Sequence, residues 1–165
     1  MKILSKKGFL LLIIIFVVSA VLLRPPVNGG RISSRYGTRV AFERNFHNGT
    51  DIALPTGSPV NSTSWGTVKL TGYDERSGNY IIITHLPGIE SRYLHLDSIN
   101  VNRGQGVNPR TIIGTVGNTG LSTGPHLHFE IRVLGIPLPP YILILPGRIV
   151  QRIDGYSIIY SLIKT

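Results

Sequence analysis

Between Arg31 and Pro139 the sequence never sustains a helical repeat over ten or more residues, and this limits the fold more than any other feature. It holds instead short apolar or alternating runs, each closed off by turn residues. Thr67-Val68-Lys69-Leu70 alternates and follows a turn-rich stretch ending at Gly66. Asn79–Thr84 and Thr111–Val116 are apolar enough to be buried strands, and His126–Arg132 alternates strictly. The 19 glycines and 11 prolines among 165 residues supply the tight turns such a chain needs. The expected fold is all-β, an antiparallel sandwich or open barrel over residues 31–140, a length that suits one domain.

The two ends have a different character. Lys2, Lys6 and Lys7 lead into Gly8–Leu23, a run without a charged residue, which Arg24-Pro25-Pro26 stops. As a helix the run spans roughly 24 Å, slightly short of a ~30 Å hydrocarbon core. Snorkelling lysines and local thinning of the bilayer would cover the gap. Residues 1–24 are thus expected to form one hydrophobic helix. It is either a transmembrane anchor with its lysines in the cytoplasm or a signal segment cleaved near Val18-Ser19-Ala20. Apolar Val21-Leu22-Leu23 directly after that point favours the anchor. Both alternatives place Asn28 onward outside the cytoplasm, with residues 25–30 as a linker. In the C-terminal extension, residues 141–165, Tyr141–Leu145 suits a strand. Ile158, Ile159, Leu162 and Ile163 have the spacing of a short amphipathic helix, packed on the domain or touching the membrane.

The chain has no cysteine, which excludes a disulfide framework and a thiolate metal site. Its formal net charge of +9 serves solubility or attraction to an anionic polymer or surface. Beyond the N-terminus the positive charges are mostly arginines, scattered from Arg24 to Arg152. No basic block or aromatic-interleaved patch marks a nucleic-acid module, so nucleic acid is not an expected partner.

The chemistry lies in the histidines. On a strand, residues i and i+2 project to one face, so His126 and His128 both point into one site. Gly124-Pro125 just before them argues against a helix, where they would diverge. In His47-Asn48-Gly49-Thr50-Asp51 the Asn-Gly turn signal favours an extended or bulged segment, and the even spacing again brings both side chains to one side. Two imidazoles and one carboxylate, with no thiolate, suit a catalytic Zn²⁺ that keeps a fourth position open. A third element, Tyr93-Leu94-His95-Leu96, accompanies them.

These three segments, the last extended to Gly124-Pro125-His126-Leu127-His128-Phe129-Glu130, resemble the signatures of the lysostaphin-type (LytM-type) zinc endopeptidases. Ala53–Val60, Gly78-Asn79-Tyr80 and Gly114–Gly120 resemble the text between those signatures, and the likeness runs from about Arg31 to Pro140. It implies that His47, Asp51 and His128 hold Zn²⁺, and that His95 and His126 are unliganded catalytic histidines. His85 falls where many relatives have a histidine; it receives no role beyond packing or surface. Glu130 is either an outer support of the site or part of a solvated strand face. Where some relatives carry a tyrosine before the first ligand, this chain has Val40-Ala41-Phe42.

The resemblance further implies a metalloprotease of the cell wall, hydrolysing peptide cross-links of peptidoglycan. One of His95 and His126 would move the proton of a water, and the other would stabilise the developing negative charge. The setting is either a bacterium remodelling its own envelope or a phage opening the wall. Two alternatives remain: a catalytically silent envelope protein that activates another hydrolase, for which the filled ligand positions give no support, and a nucleic-acid-binding barrel, which leaves the histidine spacing unexplained.

Overall fold

The computed structural model describes residues 23–38, 46–140, 151–153 and 156–158. Its strands, in chain order, are β1 (Arg31–Ser34), β2 (Gly37–Thr38), β3 (Phe46–His47), β4 (Thr50–Ala53), β5 (Pro59–Asn61), β6 (Gly66–Asp74) and β7 (Gly78–Leu86). They continue with β8 (Ile89–Ile99), β9 (Gly106–Val107), β10 (Ile112–Val116), β11 (His126–Val133), β12 (Ile136–Leu138), β13 (Gln151–Ile153) and β14 (Tyr156–Ile158). The main sheet runs β1-β4-β11-β8-β7-β6-β9. Strand β12 adds to β11, and β5 joins through β10, which pairs with β8. Every recorded pairing is antiparallel, as the short turn-bounded runs require.

The runs singled out in the sequence fall in β6, β7, β10 and β11. Of the expected N-terminal helix only Leu23 and Arg24 are described, and neither is helical; residues 1–22 and the Tyr141–Leu145 strand lie outside the described residues. Ile158, expected in a helix, closes strand β14, whereas Ile159, Leu162 and Ile163 lie outside the described residues. Among the described residues no helix is long and apolar enough to cross a membrane. Leu23 and Val27 are buried in the core, and Arg24 N–H donates to Thr63 O at 2.7 Å.

Strand alternation separates the core from the face that carries the chemistry. Leu127, Phe129 and Ile131 of β11 are fully buried, and His126, His128, Glu130 and Arg132 occupy the opposite face. Strand β8 alternates likewise, with Ile89, Ser91 and Tyr93 buried and the residues between them half-buried. Tyr93 packs on Phe129 with ring centroids 5.4 Å apart, and Ile81, Ile83, Val60, Ile113 and Val116 close the core around them. The Tyr93 hydroxyl is buried with partners: it accepts Thr63 N–H at 2.8 Å and lies 3.0 Å from Ser91 Oγ. Burial pushes that phenol up to about 12.

The β6–β7 turn and the loop after β10 meet backbone to backbone. A Cβ on Gly120, whose φ is +69°, would lie 2.2 Å from Gly78 N. Thr119 Oγ1 accepts Asn79 N–H at 3.0 Å and donates to Leu96 O at 2.7 Å, and Leu121 N–H donates to Arg76 O at 3.0 Å. Gly120→Ala is therefore expected to lower stability by about 1–3 kcal/mol, through both the clash and the left-handed backbone. A denaturant unfolding curve that overlays the parent's would contradict this account of the contact.

Candidate metal centre

Backbone register brings the candidate ligands together. His128 on β11 stands directly across from Asp51 on β4, so their side chains leave the sheet on the same face. His47 ends β3, which pairs with β2 at Gly37, and the bend at Asn48-Gly49 turns the chain into β4. Gly49 lets that bend lie against β11: a Cβ there would sit 2.8 Å from His128 Nε2 and 2.5 Å from Phe129 O.

His47 Nε2 lies 3.0 Å from Asp51 Oδ1 and 3.0 Å from His128 Nδ1, and His128 Nδ1 lies 2.7 Å from Asp51 Oδ1. The other nitrogen of each ring is tied down. His47 Nδ1 is 2.7 Å from Arg35 O, and a carbonyl can only accept, so this nitrogen carries the proton. His128 Nε2 is 3.1 Å from Glu130 Oε1, which accepts its proton in the same way. In its neutral form each imidazole thus turns an unprotonated nitrogen toward the Asp51 carboxylate. Three electron pairs converge, and one cation satisfies all of them. Spacings near 3 Å approach the edge of a tetrahedral zinc shell, about 3.3 Å for bonds of ~2.0 Å. The donor set fits a zinc ion with one position left for a reactant.

A second pair of histidines flanks this cluster. The His95 and His126 ring centroids are 4.8 Å apart, and His126 Nε2 is 3.8 Å from Asp51 Oδ1. By alternation His95 would follow Ser91 and Tyr93 into the core. A bulge prevents this. Ile81 pairs with Tyr93 but Asn79 with Leu96, so β8 carries one extra residue, and His95 takes a φ of 62°. The bulge re-aims the imidazole across the sheet while Leu96 fills the core behind it. His95 Nδ1 donates to Thr119 O at 2.8 Å and His126 Nδ1 to Gly124 O at 2.8 Å. Both rings are held with Nδ1 protonated, by two carbonyls of one loop, and turn Nε2 toward the cluster.

The sequence matches the family described as Peptidase family M23 over residues 45–140, more than half of the chain. The chain belongs to peptidase family M23. It is 48% identical over 112 residues to the peptidoglycan DD-endopeptidase ShyA of Vibrio cholerae, covering 66% of this chain and 26% of that protein. It is 40% identical over 119 residues to the DD-carboxypeptidase/endopeptidase Mpg of Neisseria meningitidis, covering 70% and 27%. The chain therefore spans only about a quarter of the length of these relatives. Its fold is similar to a zinc-containing peptidase from Vibrio cholerae, with a TM-score of 0.68 and 41% identity over 72% of this chain and 39% of that one. It is also similar to the catalytic domain of lysostaphin from Staphylococcus simulans, at 0.62 and 30% over 68% and 92%.

In this M23 domain all five site residues expected from the sequence come together. His85 stands apart: its Nδ1 donates to Trp65 O at 2.7 Å and its Nε2 meets Ser91 Oγ at 2.8 Å, joining the Tyr93 network. Burial lowers its basicity, consistent with packing. Glu130 is buried, with Arg132 Nε donating to its Oε2 at 2.7 Å while His128 binds Oε1. Of the two alternatives left by the sequence, the solvated strand face does not hold: Glu130 is a buried support of His128. The i, i+2 spacing of His126, His128, Glu130 and Arg132 contained this signal. Val40-Ala41-Phe42 lie outside the described residues.

Burial raises the Asp51 carboxyl, yet its interactions with the His128 and His47 rings outweigh it and hold the group well below the usual carboxylate range. Burial disfavours a charged His128, but Asp51 and Glu130 more than offset it, and its pKa lies above the ordinary value. Burial, aided by the His126 and His128 charges, lowers that of His95, although its bond to Thr119 opposes the shift.

Two outcomes are expected of the M23 domain. Zinc must displace the proton that His128 holds below its raised pKa. Affinity should therefore fall as pH drops, by up to about tenfold per unit per displaced proton, while Asp51 stays ionised. A zinc titration whose affinity is flat between about pH 7 and about pH 5 would contradict this. Glu130→Gln should weaken zinc binding roughly 10–100-fold, read by competition with a chelator.

Proposed function

We propose that this chain is a zinc-dependent endopeptidase that hydrolyses peptide cross-links of bacterial peptidoglycan outside the cytoplasm. The supporting observation is the paired arrangement. Three lone-pair donors from His47, Asp51 and His128 converge on one point, and two further imidazoles beside them present their Nε2 atoms. The relatives' names, peptidoglycan DD-endopeptidase and DD-carboxypeptidase/endopeptidase, favour a wall peptide as substrate.

When bound by His47, Asp51 and His128, Zn²⁺ would polarise the scissile carbonyl and lower the pKa of a bound water toward ~7. The remaining steps belong to side chains. Burial favours the neutral form of His95, which suits it to accept the proton of the attacking water at Nε2 and later deliver it to the leaving amine. His126, protonated at Nε2, would donate a hydrogen bond to the charge that develops on the carbonyl oxygen. The Thr119 and Gly124 carbonyls keep both rings from rotating during these transfers. A domain that only binds the wall would not need two such histidines beside the donor set.

The N-terminal lysines and apolar run support a membrane tether, with the domain on the far side of the membrane facing the wall. A cellular and a phage setting both accommodate this arrangement.

The zinc-loaded protein is expected to release peptide-bond cleavage products from purified peptidoglycan, identified by mass. His128→Ala should lose zinc and cleavage together. His126→Ala should keep most of its zinc while its rate falls roughly 10²–10⁴-fold. Loss of zinc from His126→Ala equal to that from His128→Ala would reverse the assigned roles.

A further inference from the structure

The sheet face that carries His128 and Asp51 continues away from them as a ladder of charges. Glu130 stands across from Arg92, and Arg132 across from Glu90. Lys69 of β6, the next strand but one, bonds to Glu90. This floor holds three cations, Lys69, Arg92 and Arg132, and two carboxylates, Glu90 and Glu130. The partners are not shared evenly. Glu130 is engaged by His128 and by Arg132 at 2.7 Å, and Glu90 is bonded by Lys69. Among the described residues the carboxylate that Arg92 meets is Glu90, at 3.6 Å, a longer and weaker contact. Among the described residues its buried Nε has no partner, although 29% of the side chain is exposed. The exposed part of this guanidinium is what a ligand can meet, and its planar fork of donors matches a carboxylate in two places at once.

The position of Arg92 gives this vacancy a use. Leu94 stands across from His128, so Arg92 is the diagonal neighbour of His128 on the same face. Such neighbours lie ~7–8 Å apart, about two residues of extended chain at 3.3–3.6 Å each. We propose that Arg92 anchors a free carboxylate of the substrate, one or two residues from the scissile bond. The inference rests on the peptidase function proposed above and deepens it. Mpg, similar to this chain, carries DD-carboxypeptidase in its name, an activity defined by a free carboxylate on the residue beyond the cut bond. The same recognition in an endopeptidase would select, among cross-links, those flanked by an unamidated acid.

The test compares cleavage of two cross-linked muropeptide dimers by the full-length, zinc-loaded protein. One dimer has free acids within two residues of the scissile bond; in the other these acids are amidated. The parent is expected to favour the free acid about tenfold in kcat/KM, mainly through KM. Arg92→Gln should bring that ratio close to one. Arg92→Lys, a point charge without the fork, should fall between. A general loss of folded protein lowers both rates and leaves the ratio untouched. A parent that treats both dimers alike, or an Arg92→Gln protein with the parent's ratio, overturns the assignment of Arg92. A parent that cleaves neither dimer overturns the peptidase function on which it rests.

Discussion

Three electron pairs aimed at one point govern this molecule. Such an arrangement is repulsive unless something positive sits among them, and a polypeptide can hold it only by fixing each ring from behind. The Arg35 carbonyl does so for His47, and Glu130 does so for His128, itself clamped by Arg132. The β4–β11 register then sets Asp51 against His128 without using a flexible loop. The result is a rigid cluster with donors chosen for a borderline-soft cation and no thiolate to close the coordination shell. Its neighbours His95 and His126 are fixed in the same fashion, by the Thr119 and Gly124 carbonyls, beside the cluster rather than within it.

Much of this was legible in the sequence because it depends on the period of two. The alternation in His126–Arg132 assigns one face to the core and the other to chemistry, and the structure follows it residue by residue. The His47–Asp51 pair was legible through its turn signal. Glu130 was harder. Its place in the alternation puts it beside His128, but a glutamate on a strand reads equally well as solvated, and only the packing of neighbouring strands shows that it is buried.

His95 marks the limit of such reading. Strict alternation would send it inward with Ser91 and Tyr93, and no local residue announces the extra residue in β8. The bulge arises because β8 changes partners there: Leu94 pairs with His128 of β11, whereas Leu96 pairs with Val116 of β10. A tertiary requirement overrides a local rule, and the left-handed backbone that results is held by the bond from His95 N–H to Ser77 O at 2.8 Å. Arg92 was hidden for a related reason, since a lone arginine in a basic chain reveals nothing about which carboxylates its neighbours have already claimed.

Strand β11 serves two masters on opposite sides of eight residues. Slipping its register by a single position would rotate Leu127, Phe129 and Ile131 out to water and drive His126, His128 and Glu130 among apolar side chains. Hydrophobic collapse and reactivity would fail in the same stroke. The loops beside this strand can lengthen freely, but a slip along β11 costs the core and the histidine face together.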